Sequence, residues 1–176
     1  MSTPTASGRP ALRSTRRGPN PRGPNPRRVS RERVLRALYL WQVAGGDFAS
    51  LLVQVERHEP EEREAAGENE LTPPHAGLLR ELLDGILQRV DQLDVALTPH
   101  LDRPVIELSP IEHAILLIGA YELIHSFNVP YRVCINEAVE LAKMYGGTDG
   151  HKFVNGVLDK LAQVTRQVEI SGEQQA

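Results

Sequence analysis

With Cys134 as its single cysteine, a chain of 176 residues has no means of forming an intramolecular disulfide or a cysteine-rich metal site, a usage that suits a reducing cytoplasm. Cys134 itself reads as a small buried apolar residue. No stretch approaches the roughly 20 apolar residues of a membrane span, and the early arginines are followed by prolines and polar residues where a secretory signal needs an apolar segment. Neither export nor membrane insertion is expected. His58, His75, His100, His113, His125 and His151 show no two-ligand spacing on a helix, so no metal is expected. Tyr145-Gly146-Gly147-Thr148 is a turn without the P-loop lysine, and nothing pairs Cys134 with a particular histidine. The expectation is a protein without catalysis and without a cofactor.

Acidic residues are also missing from one region, and that absence is informative. Residues 1 to 28 hold Arg9, Arg13, Arg16, Arg17, Arg22, Arg27 and Arg28 with no Asp or Glu, a segment of charge +7. The rest carries 13 Lys and Arg against 23 Asp and Glu, so the body is formally -10 and repels nucleic acid except where its few cations gather. The Gly-Pro-Asn-Pro-Arg theme at Gly18 to Arg22 repeats at Gly23 to Arg27, and such a composition buries too little apolar area to offset its ordering entropy. Residues 1–26 are therefore expected to be a disordered tail, either an electrostatic arm for RNA or merely a solubilising extension.

Beyond the tail the hydrophobic period is helical and no run reads as a strand. Val34, Leu38 and Trp41 stripe a first helix that Gly45-Gly46 stops; Asp47 can cap a second carrying Phe48, Leu51, Leu52 and Val55. Residues 56 to 70 hold seven Glu against two Arg and read as a solvated loop. Leu79, Leu83, Ile86, Val90 and Leu93 predict one helix bounded by Pro99, and Ser109-Pro110-Ile111-Glu112 predicts a capping box opening a helix that is apolar all round at residues 114–120. Pro130 to Tyr145 and Gly150 to Val168 complete the set, the last striped by Phe153, Val157, Leu161 and Val164. Asn136, Glu137 and Asn155 read as ties between helices, and Gly156, costly inside a helix, predicts a close helix crossing. The expected architecture is all-α, six to seven helices in a domain over residues 27–170 with subdomains of about 27–98 and 99–170, and a flexible end at 171–176.

Between the last two helices lies a corner on which chemistry is legible. Gly146-Gly147 stops one helix, Asp149 is placed to cap the next, and Lys152-Phe153 occupy its first turn, where unpaired N–H groups favour an anion. Recognition of single-stranded RNA needs cations along a backbone track and flat side chains under unstacked bases. A second basic and aromatic set, Arg27, Arg28, Arg31 and Arg33 running into Tyr39, Trp41 and Gln42, lies near the start. Trp41 reads as core in preference to a platform, while Phe153, which also lies on the apolar stripe of its helix, reads as either.

Ile135-Asn136-Glu137-Ala138-Val139-Glu140-Leu141-Ala142-Lys143 and His151-Lys152-Phe153-Val154-Asn155-Gly156-Val157-Leu158-Asp159 resemble the C-terminal signature of the NusB family of transcription antitermination factors. Tyr121-Glu122-Leu123, Val129-Pro130-Tyr131 and Arg36-Ala37-Leu38-Tyr39-Leu40-Trp41-Gln42 extend the likeness over about Arg27 to Ala162. The resemblance implies two small packed helical bundles and binding of boxA RNA with ribosomal protein NusE, so that RNA polymerase resists termination during ribosomal RNA synthesis. By position it implies phosphate contacts from Arg27, Arg28 and Arg31, base contacts from Tyr39, Gln42 and Asp149, and a cation beside a stacking surface from Lys152 and Phe153. It places the NusE contact at Glu112 and Ile115, and implies NusA, NusG and RNA polymerase as further partners. Leu117 stands where the family's block carries arginine. Two alternatives remain at this level: a helical module serving an RNA methyltransferase, and a structural homodimer built on the apolar central helix.

Overall fold

The computed structural model describes residues 25–56 and 72–174, so most of the arginine-rich tail, nearly all of the glutamate-rich stretch and the last two residues lie outside the described residues. Within them the chain is all-helical, with no strand. Helix α1 (Pro26–Ala44) opens with Asn25 Oδ1 accepting from the Arg27 N–H and proline in the first turn, and Gly45 at φ 76° ends it. Helix α2 (Phe48–Glu56) takes the expected cap, the Ser50 N–H donating to Asp47 Oδ1 at 2.8 Å. Helix α5 (Pro110–His125) has the expected capping box between Ser109 and Glu112.

Two expected helices are each divided. The stripe from Leu79 to Leu93 splits into α3 (Ala76–Leu87) and α4 (Val90–Leu97), because the Arg89 N–H closes on Ile86 O at 2.8 Å and its side chain returns to Gly85 O at 3.1 Å. Helices α6 (Tyr131–Tyr145) and α7 (Gly150–Thr165) follow, but the last expected helix breaks at Arg166 before α8 (Gln167–Gln174). Arg166, only 3% exposed, donates to the carbonyls of Glu122, Leu123, Ser126 and Val129, clasping the bare end of α5 at a cost in its own helical geometry. Val164, expected on the apolar stripe of this helix, is exposed.

Helix α5 is the axis of the molecule, packed against α1, α3, α4, α6 and α7, so one apolar core runs from Val34 to Ile170. Arg31 of α1 reaches Glu122 and Gln42 reaches Pro110, so α1 runs antiparallel to α5. The short connections make α6 antiparallel to α5 and α7, while Gly119 lies against Leu158 and Arg166 clasps the end of α5, so α5 and α7 are parallel. Close crossings occur at Gly119 and at Gly85, where the Tyr121 ring occupies the space of a side chain; Gly156 instead opens onto empty space, so its predicted crossing is absent. Of the three polar ties expected in α6 and α7, Glu137 is one; Asn136 and Asn155 are exposed.

Candidate nucleic-acid interface

These directions bring the C-terminal ends of α1 and α6 to the same end of the bundle as the N-terminal ends of α5 and α7. There the side chain of Gln42 donates to Pro110 O at 2.9 Å and faces His113 Nδ1 at 3.1 Å, while His113 Nε2 sits 2.7 Å from Asp94 Oδ1. Gln42 is thus fixed by α5, whose His113 is held in turn by Asp94, with Tyr39 beside it on α1 and 41% exposed. Across the start of α5, Glu112 Oε1 comes within 3.7 Å of where a Gly150 side chain would begin, which seats the α6–α7 turn against the same end. Tyr39 and Gln42 therefore share an end of the molecule with Asp149, Lys152 and Phe153.

Asp149 does not cap α7 through its side chain. Its backbone is left-handed at φ 61°, and its carboxylate holds Lys152 Nζ at 2.8 Å. Both side chains are exposed, so the pair presents a cation and an acceptor side by side. Phe153 packs against the core by one part of its ring, and the Arg103 guanidinium covers the ring with its carbon 4.6 Å from the centroid. Sequence reasoning missed Arg103, since a lone arginine between Asp102 and Pro104 carries no periodicity.

The arginines of α1 separate into two kinds. Arg31 is 2% exposed and makes a two-pronged bond to Glu122, at 2.9 and 2.7 Å, with Glu137 at 3.7 Å. Its guanidinium lies inside the protein and does not face solvent, because the acids of α5 and α6 draw it inward. Arg28 stays at the surface, gripping Glu137 at 3.1 and 3.0 Å, and this bond raises its pKa. Arg27 is exposed, with no ion pair among the described residues. The free cationic surface of α1 is thus Arg27 with part of Arg28, and it lies about 20 Å along the helix from Gln42.

Of the two residues expected to meet a protein partner, Glu112 is half-buried and shares its carboxylate with its own capping box. Ile115 is fully buried in the core, so it offers no apolar area to a partner, a correction to the sequence expectation. Helix α5 is buried all round from Ala114 to Leu123, which decides this. Cys134 is buried, and desolvation, aided by the nearby Glu122 carboxylate, pushes its thiol up to about 12. Among the described residues no acid, histidine and cysteine cluster is placed to hold a metal, and no helix is long and apolar enough to cross a membrane.

Comparison with known proteins adds three findings. A family model described as the NusB family matches residues 28–163. The transcription antitermination protein NusB of Thiobacillus denitrificans is 52% identical over 136 residues, covering 77% of this chain and 87% of the relative. That of Methylobacillus flagellatus is 58% identical over 107 residues, covering 61% and 70%. Among solved structures, T. maritima NusB aligns with a TM-score of 0.67 at 26% identity, covering 84% of this chain and 98% of that one. A structure of the antitermination factors NusB and NusE in complex with double-stranded RNA has a TM-score of 0.64 at 24% identity over 79% and 97% of the two chains, a likeness of fold.

Proposed function

The chain belongs to the NusB family, and from that membership we propose that it is a non-catalytic transcription antitermination factor of the cytoplasm, binding boxA RNA of nascent ribosomal transcripts together with ribosomal protein NusE. NusA, NusG and RNA polymerase complete the proposed assembly, with self-association as a possible free state. The observation that carries the RNA reading is the meeting of the exposed Tyr39 and the fixed Gln42 with Asp149, Lys152 and Phe153 at one end of an otherwise acidic bundle. A strand laid across that end finds flat surfaces beside a cation, and its phosphates lead back along α1 to Arg28 and Arg27. Arg31 contributes indirectly, by anchoring the helix that displays them.

For the protein partner, Glu112 keeps its proposed role, as an acidic group at the entrance of α5 facing a basic surface. A pull-down of the full chain with purified NusE, with and without a boxA oligoribonucleotide, tests the whole reading. The expected result is a ternary complex in which RNA binds more tightly than to either protein alone. Independent binding of the two ligands, or no NusE binding at all, overturns it. Phe153→Ala is expected to weaken RNA binding by about 1–3 kcal/mol. A collapse of the helical melt in that variant would assign the ring to the core instead.

A further inference from the structure

Arg103 sits in the connection between α4 and α5, flanked by two 3₁₀ turns, Thr98–His100 and Val105–Glu107. The connection is held in shape: the Leu101 N–H donates to Thr98 O at 3.3 Å, the Leu108 N–H to Val105 O at 3.0 Å, and the first turn packs against α7. Pro104 biases Arg103 towards an extended backbone, which throws its side chain across to Phe153. Asp102 Oδ1 then accepts from Nε at 2.9 Å, fixing the plane of the guanidinium while leaving its terminal nitrogens open. The side chain is 39% exposed, so the guanidinium that lies over the ring is also open in part to solvent.

A nucleobase arriving at Phe153 therefore meets the arginine plane before it meets the ring. Guanidinium planes accept stacked bases as aromatic rings do, and a cation between two π faces is attracted to both. We infer that Arg103 is a base-contacting residue of the RNA site, the middle layer of a stack formed by Phe153, Arg103 and one unpaired base. Asp102 is its positioning residue. The inference rests on the RNA-binding reading and adds a residue to it. Lysine cannot replace Arg103, since its ammonium keeps the charge and has no plane.

The test measures binding of the full chain to a boxA oligoribonucleotide and to a series in which each base in turn is removed from the intact backbone. Wild-type protein should show a marked loss at one position of the series. Arg103→Ala and Arg103→Lys should both bind the intact strand about tenfold more weakly and should no longer distinguish that position. Both variants should keep the wild-type thermal melt. Wild-type affinity in Arg103→Lys would reduce the residue to a point charge on a phosphate, and a uniform loss across the series, or a lowered melt, would likewise overturn the stack. Failure of the wild-type chain to bind the intact strand would instead bring down the RNA reading itself, which keeps the two outcomes distinct.

Discussion

Three positions apart on one helix, Arg28 and Arg31 have opposite fates. Arg31 is enclosed with Glu122, and truncating one partner leaves the other charge buried and unpaired, so Arg31→Ala is expected to cost about 3–5 kcal/mol in a urea melt. Arg28→Ala, losing a surface pair with Glu137, should cost no more than about 1 kcal/mol while weakening RNA binding. Equal destabilisation by both changes would contradict this division. The difference was not legible in the sequence, because it depends on an acid 91 residues away; the basic character of the segment was, and the side on which each guanidinium lies was not. Cys134 gives a second prediction. A thiol raised to about 12 from 9.0 contributes stability that is whole below the unfolded value and is lost as pH climbs through 9 towards the folded one. Native protein should resist iodoacetamide at pH 8 and react fully in urea, and Cys134→Ala should flatten the alkaline limb of the stability curve.

Among the helices, the signals written in local chemistry came through: the Asp47 cap, the Ser109 capping box and the proline start of α5 are where their residues place them. The divisions at Arg89 and Arg166 escaped notice because each is made by a side chain reaching carbonyls, on its own helix in one case and on α5 in the other. Gly156 shows the same limit from the other direction, since a glycine that looks like a crossing point lies over open space while Gly119 and Gly85 bear the real contacts. Gly156→Ala is accordingly expected to stabilise α7 by about 0.5–1 kcal/mol. Gly119→Ala should do the reverse, since the new methyl meets Leu158 and overpacking costs about 1–3 kcal/mol. Thermal denaturation followed by circular dichroism reads both, and a shared sign would refute the assignment of the crossing.

For the molecule as a whole, charge is divided between a basic amino-terminal segment and an acidic body, and RNA must approach against the second with help from the first. RNA affinity is expected to fall steeply with salt, each neutralised phosphate of a single strand adding about -0.7 to the log–log slope. Deleting residues 1–24 should flatten that slope if the tail is an electrostatic arm, and an unchanged slope would leave it without a role in binding. The all-helical class was legible in the patterning; the resemblance set the arginine-rich start and the α6–α7 corner on one face, whereas the structure brings Tyr39 and Gln42 to that corner, buries Arg31 and leaves Arg27 and Arg28 about 20 Å along α1, because long-range packing sets how the helices surround α5. The clasp of Arg166 on α5 has one last consequence, for synthesis. The carbonyls of Glu122 and Leu123 at the end of this apolar helix, with those of Ser126 and Val129 just beyond it, meet a guanidinium made some forty residues after the helix is complete. The nascent chain therefore carries that end of its most apolar helix unclasped until Arg166 has emerged, and loss of that one arginine should show first as aggregation during translation.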